Sequence, residues 1–378
     1  LLCVDTVSAV TSVLSTRAAV LWQQGSPLSI ETVDLDPPGP GEVLVEVKAA
    51  GVCHSDLHPA CGDWPARTPL VLGHEGAGVV LELGPGVTRV GVGDRVVFCW
   101  APACGVCPSC RVGRPVLCDR LERTTYRNRL PSGETRLRAR GQPVGSFLST
   151  ACFAEHVVVA QEGVVPIPHD VDYESLAALG CAVLTGVGAV LNAARAPAGA
   201  CVAVIGVGGV GLNVVQGAVI AGCERIIAVD RSPAALLFAR SFGATDCADA
   251  EATPNAIREL TSGRGADFVF DTVGTPATLA SALAAVRKGG TVVLSGLSRV
   301  DGEASVPMFP FVMQEKRLIG SLYGSGRPDV DIPRLVSLHV AGKLRLRELV
   351  ARVYPLDAIN DALAALGSSA AARGVIRL

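Results

Sequence analysis

Four cysteines stand close together in the sequence, as Cys104-Gly-Val-Cys107-Pro-Ser-Cys110 and then, after seven residues, Cys118. Thiolates at this C-x2-C-x2-C-x7-C spacing, in a Pro- and Gly-rich loop, can surround one Zn²⁺ tetrahedrally and leave no position open. Such a closed site stabilises a lobe and does no chemistry. Short Cys-x-x-Cys runs also hold iron–sulfur clusters, the competing reading. Two further segments carry reactive side chains: Cys53-His54-Ser55-Asp56-Leu57-His58 and Gly73-His74-Glu75. Their spacing alone closes no four-ligand site, and core packing explains a lone Cys and a lone His equally well.

A different chemistry is written in Gly206-Val-Gly208-Gly209-Val210-Gly211, which follows the apolar run 201–205 and opens a small, apolar helical run. Gly206 allows a tight turn, Gly208 lets backbone approach a pyrophosphate, and Gly211 lets helix and strand pack closely. The helix start offers free N–H groups to phosphate. Asp230 ends the next apolar run, where a carboxylate can bind a ribose 2′-hydroxyl. Arg231, beside it, could accommodate a 2′-phosphate, but Asp230 would repel one. The unit reads as a βαβ fold for NAD(H) in preference to NADP(H).

Elements must position these residues. The chain has 378 residues, 49% hydrophobic and 18% charged, which suits two or three well-buried domains. A formal net charge of -2 gives no electrostatic reason for a nucleic-acid or anionic-membrane partner. No run is expected to cross a membrane, and residues 1–16 read as a loose extension without signal-peptide features. Thirteen cysteines are then expected to be metal ligands and buried thiols, in a cytoplasmic protein.

Residues 17–98 alternate apolar and polar between Gly/Pro turns, an all-β pattern expected to form a distorted barrel. Residues 119–150 are an irregular excursion rich in Arg, whose charges are expected to be solvated. Helices are expected at 173–179 and 187–194. Beyond 201, strands at 202–205, 225–229, 267–271, 290–295 and 317–322 alternate with helices at 233–242, 254–261 and 275–287, the pattern of a doubly wound parallel sheet. The link 296–316 reads as long and Pro-containing. Helices at 332–341 and 356–366 and a strand at 374–378 are expected to return to the first domain. The expected organisation is 1–182 with 323–378 as one domain and 183–322 as an inserted cofactor domain.

Taken together, Gly51-Val-Cys53-His54-Ser55-Asp56, Gly73-His74-Glu75-Gly-Ala-Gly78, the four-Cys lobe, Leu179-Gly-Cys181, the glycine turn and Arg373-Gly-Val-Ile resemble the zinc-dependent medium-chain alcohol dehydrogenases, from about residue 17 to 378. Ser132-Gly-Glu-Thr-Arg and Arg140-Gly-Gln-Pro are similar to the insert of the dimeric classes, including the class that oxidises the glutathione adduct of formaldehyde. The resemblance implies an α/β fold in which a Rossmann cofactor domain is inserted into a mostly-β, GroES-like catalytic domain. It implies two Zn²⁺ per chain: a structural one on Cys104, Cys107, Cys110 and Cys118, and a catalytic one on Cys53, His74 and Cys181. Two thiolates and an imidazole are a set that leaves a fourth position for substrate.

The same resemblance assigns Ser55 and His58 to a proton relay. Asp56 would hold the free N–H of His74, and Glu75 would tune the field beside the metal. Arg373 would contact the pyrophosphate, Gly209 belongs to the glycine turn, and Thr185 and Val210 would back the nicotinamide. His54 stands where several relatives carry Arg, and a neutral imidazole there should loosen NADH. Trp64, Trp100 and Phe147 would line the substrate channel. The implied activity is NAD-linked oxidation of an alcohol, apolar or aromatic and primary, to its aldehyde (EC 1.1.1.-). Oxidation of a formaldehyde–thiol adduct, and reduction of an activated C=C or C=N bond, are the alternatives. A homodimer is implied, through edge strands around 305–323.

Overall fold

The structure, a computed structural model, describes residues 12–366 and 373–378. The expected loose extension lies mostly outside the described residues, and its last members already belong to the strand Leu14–Leu21. Five strands close a barrel in the order Leu14–Leu21, Ser29–Leu35, Leu137–Ala139, Gln142–Ser146 and Leu70–Val71. A seven-stranded sheet runs Val164–Pro166, Arg95–Phe98, Glu75–Leu83, Glu42–Gly51, Arg373–Arg377, Val350–Pro355, with His156–Ala160 also paired to Glu42–Gly51. The return of the chain end is explicit: Val375 pairs with Gly51 and Ile376 with Ala50.

The third sheet has six strands in the order Asp246–Asp249, Arg225–Asp230, Cys201–Ile205, Ala266–Asp271, Val286–Leu294, Arg317–Gly320. All five pairings are parallel. Every residue of Cys201–Ile205 is buried, as a central parallel strand covered on both faces requires. The chain runs outward one way from Cys201–Ile205 and then returns to build the other half. The crevice beyond the carboxyl end of that strand is therefore the topological switch point, where this class of sheet binds ligands.

Several elements differ from the sequence pattern. Asp246–Asp249 is a strand without an apolar run, and Arg352 interrupts the run in Val350–Pro355; pairing with a neighbour holds both at a sheet edge. The link 296–316 contains the helix Met308–Met313. The two helices expected at 173–179 and 187–194 are one continuous helical stretch, Tyr173–Ala194. By length and composition it could cross a membrane, contrary to expectation, but 83% of its most apolar window is buried inside the protein. Its internal glycines are contact points and not breaks: a Cβ on Gly186 would lie 2.5 Å from the Val210 carbonyl oxygen. π-Helical turns at Leu179–Val183 and Ala189–Ala194 interrupt its regular hydrogen bonding, and the first contains Cys181.

Candidate active site

Three unrelated pieces of backbone bring Cys53, His74, Glu75 and Cys181 together. Cys53 caps the helix His54–Cys61, His74 and Glu75 lie at the entry to the strand Glu75–Leu83, and Cys181 projects from a π-turn. One ligand atom from each of the four lies within 4.8 Å of all the others, and all four residues are buried. π-Turns recur at functional sites because the extra residue re-aims a side chain.

Asp56 ties the first two pieces together. It is fully buried and accepts from the Cys53 N–H (3.1 Å), the Gly73 N–H (3.1 Å) and His74 Nδ1 (2.9 Å). The His74 ring is thereby fixed with Nε2 facing the cluster, and that buried nitrogen has no hydrogen-bond partner. An orphaned imidazole nitrogen among two thiols is what a Zn²⁺ site offers, so these residues fit the ion. Replacing Asp56 with Asn should weaken zinc binding by roughly 10–100-fold, measured by competition with a chromophoric chelator. Unchanged affinity would show that Asp56 does not orient the ligand.

The electrostatics favour one thiolate of the Cys53–Cys181 pair. Cys53 is pushed well below an ordinary thiol by a hydrogen bond from Cys181 and by the Arg373 charge, with burial opposing. Cys181 is pushed well up, since it keeps the proton of the pair and is buried. Burial opposes charge on His74, but Asp56 and Cys53 outweigh it and raise its pKa. Burial pushes Glu75 up to about 8, against the pull of Arg373.

Arg373 does more than the resemblance assigns to it. Its Nη2 donates to Glu75 Oε1 (2.8 Å) and to Cys53 Sγ (3.4 Å), and its Nη1 to the Val52 carbonyl (3.2 Å). A Cβ on Gly209 would lie 2.6 Å from Arg373 Nε, which has no partner. One guanidinium therefore bridges the metal cluster and the glycine turn. Nothing in the sequence signals this pairing of residues 298 positions apart.

The glycine turn is shaped for a dinucleotide. Gly206 has φ +83°, and a Cβ on Gly211 would lie 1.9 Å from the Gly206 carbonyl oxygen. A Cβ on Gly208 would meet nothing within 4 Å, leaving room for a phosphate against bare backbone. Asp230 sits beside this turn, accepting from the Val207 and Ser232 N–H groups at 2.9 Å each. Arg231 is exposed. Thr185 is buried on the helix Leu184–Gly188, which packs where Val210 begins the next helix.

Around the cluster, Phe147 presents an edge-on contact to the His74 ring (centroids 5.7 Å apart, 84°). Ser55 is half-buried on the first turn of its helix, and His54 beside it is exposed. His58 stacks on Trp64 (4.4 Å), with Nδ1 3.3 Å from Asp63. Two contacts to the cofactor domain extend this wall: Trp64 Nε1 donates to the Ser298 carbonyl (3.0 Å) and Arg299 Nη1 to Asp63 (3.1 Å). Trp100 instead packs at a tilt against Tyr323 (centroids 4.4 Å apart, 35°), whose buried hydroxyl donates to the Gly180 carbonyl next to Cys181. No sequence motif marks Tyr323, Ser298 or Arg299.

The four cysteines of the lobe, Cys104, Cys107, Cys110 and Cys118, also bring their sulfurs within 4.8 Å of one another. Backbone N–H groups of Val106 and Cys107 pull the Cys104 thiol down to about 6, ready to bind as thiolate.

The chain matches the profile of the alcohol dehydrogenase GroES-like domain over residues 39–169 and that of zinc-binding dehydrogenases over 209–339. It is 42% identical over 367 residues to putative alcohol dehydrogenase D of Mycobacterium tuberculosis, covering 96% of this chain and 100% of that one. It is 38% identical over 370 residues to S-(hydroxymethyl)glutathione dehydrogenase of Escherichia coli, covering 96% and 100%. The crystal structure of benzyl alcohol dehydrogenase from Acinetobacter calcoaceticus matches with a TM-score of 0.90 at 30% identity, over 97% of this chain and 99% of that one. Two family models and relatives 38–42% identical over nearly the whole chain thus show that the chain belongs to the zinc-dependent medium-chain alcohol dehydrogenase family.

Proposed function

We propose that the protein oxidises apolar or aromatic primary alcohols, and reduces the matching aldehydes, with NAD(H) as the hydride partner. The observation that carries this reading is the Phe147 ring packed edge-on against His74, an apolar wall at the metal cluster itself. Zn²⁺ held by Cys53, His74 and Cys181 would supply the Lewis acidity that lowers an alcohol's pKa. The remaining chemistry belongs to the chain. Asp56 keeps the His74 ring in one orientation, and Arg373 stabilises the Cys53 thiolate. Ser55 takes the alcohol proton outward, and His58, positioned by Asp63 and Trp64, passes it to solvent. Asp230 favours a free ribose 2′-hydroxyl over a 2′-phosphate, which supports NAD. A second Zn²⁺ on the four-Cys lobe completes two ions per chain.

His54 is exposed at the start of its helix and lacks the fixed charge of arginine. Changing His54 to Arg should slow NADH release several-fold, roughly the worth of one added charge-assisted contact to phosphate. Stopped-flow displacement measures it, and an unaltered dissociation rate would remove His54 from the cofactor site.

The subunits are proposed to pair as a homodimer along Arg317–Gly320, the outer strand of the six-stranded sheet. On the adjoining helix, Met308, Phe309, Val312 and Met313 are 68–79% exposed, an apolar row beside an unpaired strand edge. Phe309→Asp should convert the dimer to monomer in light scattering. A monomeric native protein would contradict the proposal.

Oxidation of a formaldehyde–thiol adduct is the second reading, favoured by the similarity to the E. coli relative. Of the candidates for holding a large charged substrate, Asp63 is already engaged by Arg299 and His58, and among the arginines of 119–140 Arg136, Arg138 and Arg140 are paired with acids. A panel from ethanol through long-chain and benzylic alcohols to formaldehyde, with and without a low-molecular-weight thiol, tests both. Turnover of benzylic alcohols supports the first reading, and activity only with formaldehyde plus thiol supports the second. Silence across the panel, with zinc and NADH bound, points instead to an activated C=C or C=N substrate.

A further inference from the structure

Cys181 reaches the metal cluster from a π-turn, where the regular helical hydrogen-bond ladder is interrupted. One rigid peptide plane carries the Gly180 carbonyl at one end and the Cys181 N–H at the other. At its N–H end this plane is held loosely, by a 3.4 Å bond to the Ala178 carbonyl. Two contacts from outside the helix fix it more firmly. The strand Arg95–Phe98 ends against Gly180, where a Cβ would lie 2.1 Å from the Phe98 carbonyl oxygen. The Tyr323 hydroxyl donates to the Gly180 carbonyl itself.

Tyr323 is held firmly in its own place. It follows the strand Arg317–Gly320 of the six-stranded sheet and is 2% exposed. Tyr323, Gly324 and Ser325 have φ of +53°, +66° and +48°, three left-handed residues in a row. A bulky side chain occupies that region only where its surroundings impose it, and such residues gather at functional sites. Here a Cβ on Gly324 would lie 2.2 Å from the Leu184 carbonyl oxygen, and one on Gly188 would lie 2.6 Å from the Gly324 carbonyl oxygen. The turn is thus wedged against the helical stretch Tyr173–Ala194 that carries Cys181. Asn192 Nδ2 adds a bond to the Gly324 carbonyl (3.3 Å). The Tyr323 ring lies against Trp100, and the Cys99 thiol and the Trp100 backbone flank its hydroxyl. Burial pushes the Tyr323 pKa well up, so the hydroxyl keeps its proton and remains a donor. Packing alone does not explain that hydroxyl: a Phe ring would fill the same space without a polar group that must be paired in the core.

We infer that Tyr323 is a positioning residue for the metal centre: its hydroxyl sets the Gly180–Cys181 peptide plane and so aims the Cys181 sulfur at the site shared with Cys53 and His74. The inference rests on Cys181 being a ligand of the catalytic ion, and not on which substrate is turned over. It gives the strained turn a task, since a side chain wedged in one conformation holds its hydroxyl at one point. It also ties the metal ligand to the outer strand of the cofactor sheet, 143 positions away in sequence.

Visible spectroscopy on the full-length protein with Co²⁺ exchanged for Zn²⁺ tests the inference, because the cobalt bands follow ligand identity and geometry. Cys181→Ser identifies the bands that belong to the catalytic site, apart from those of the four-Cys lobe. In Tyr323→Phe the catalytic-site bands are expected to shift and weaken while the lobe bands stay. Zinc affinity at that site should fall roughly tenfold, read by competition with a chromophoric chelator. The comparison variant Asn192→Leu loses a bond to the same turn but none to Gly180, and should alter neither readout. Tyr323→Phe keeps the ring against Trp100; a cooperative thermal transition and unaltered NADH binding verify that both variants are folded. Unaltered bands and zinc affinity in Tyr323→Phe overturn the inference, as do equal effects of the two variants, which would reduce the turn to packing. If Cys181→Ser leaves every wild-type band in place, the ligand set itself falls, and the inference with it.

Discussion

Replacing Cys53 with Ser should lower kcat for alcohol oxidation by at least about a thousandfold while leaving NADH affinity nearly unchanged. A Lewis-acid metal contributes several kcal/mol to stabilising developing charge, and each 1.36 kcal/mol is a factor of ten. Cys53 is the ligand on which the local field converges: Arg373 donates to its sulfur, Cys181 shares its proton, and the Asp56 carboxylate accepts from its N–H. A serine hydroxyl keeps the helix-capping geometry but is a far poorer zinc ligand than a thiolate. Arg373 links Cys53 to the glycine turn but keeps its Glu75 and Val52 partners when the sulfur is replaced, and Asp230 does not touch Cys53, so cofactor binding is largely spared. The split between kcat and NADH affinity is the readout, obtained from steady-state rates and fluorescence titration. A variant that retains more than a tenth of the activity would mean that Cys53 is not a catalytic ligand. The proton-holding directions of Cys181 and His74 add a sign: zinc must displace those protons, so zinc affinity should fall as pH is lowered.

The second large effect concerns stability. Cys107→Ser should lower the melting temperature by roughly 10 °C or more and, on the proposed content of two zinc ions per chain, abolish one and leave the other in place. Between residues 104 and 118 only Val116 and Cys118 are buried. Val106 and Val112 are 66% and 72% exposed, so the lobe has almost no apolar core with which to hold itself. Its two short turns, Pro108–Arg111 and Pro115–Leu117, cannot stand alone at that length. The metal must then supply the local folding free energy, several kcal/mol even in a conservative reading of zinc-peptide affinities. Calorimetric melting with metal analysis decides the matter. An unchanged melting temperature with one zinc lost would mean that the lobe is held by packing.

The zinc lobe and the glycine turn could be read directly from the sequence because their working parts are neighbours along the chain. Cys104 to Cys118 form one loop, and Gly206 to Gly211 form one turn whose geometry each glycine dictates. Cys53, His74 and Cys181 could not be joined by spacing. They sit on a helix cap, a strand entry and a π-turn, and only the fold brings them together. Resemblance supplied that set, but not the bridge from Arg373 to both Glu75 and Gly209, which depends on the return of Arg373–Arg377 to Glu42–Gly51. The parallel strands showed as apolar runs because both of their faces are buried. Asp246–Asp249 lacked that signature, and Arg352 interrupted it in Val350–Pro355, since an edge strand can be held by pairing. Gly180 to Gly186 read as a break between helices, whereas the structure uses Gly186 for close helix packing against Val210.

The central claim is that hydride leaves the carbinol carbon of an alcohol and enters NAD⁺ at the Cys53–His74–Cys181 site. The most direct test is turnover of benzyl alcohol deuterated at that carbon, with mass analysis of the reduced cofactor. The account predicts one deuterium per NADH formed and no label in solvent, and loss of this transfer in Cys53→Ser. Unlabelled NADH with deuterium released to water, or equal labelling by the Cys53→Ser protein, would contradict it.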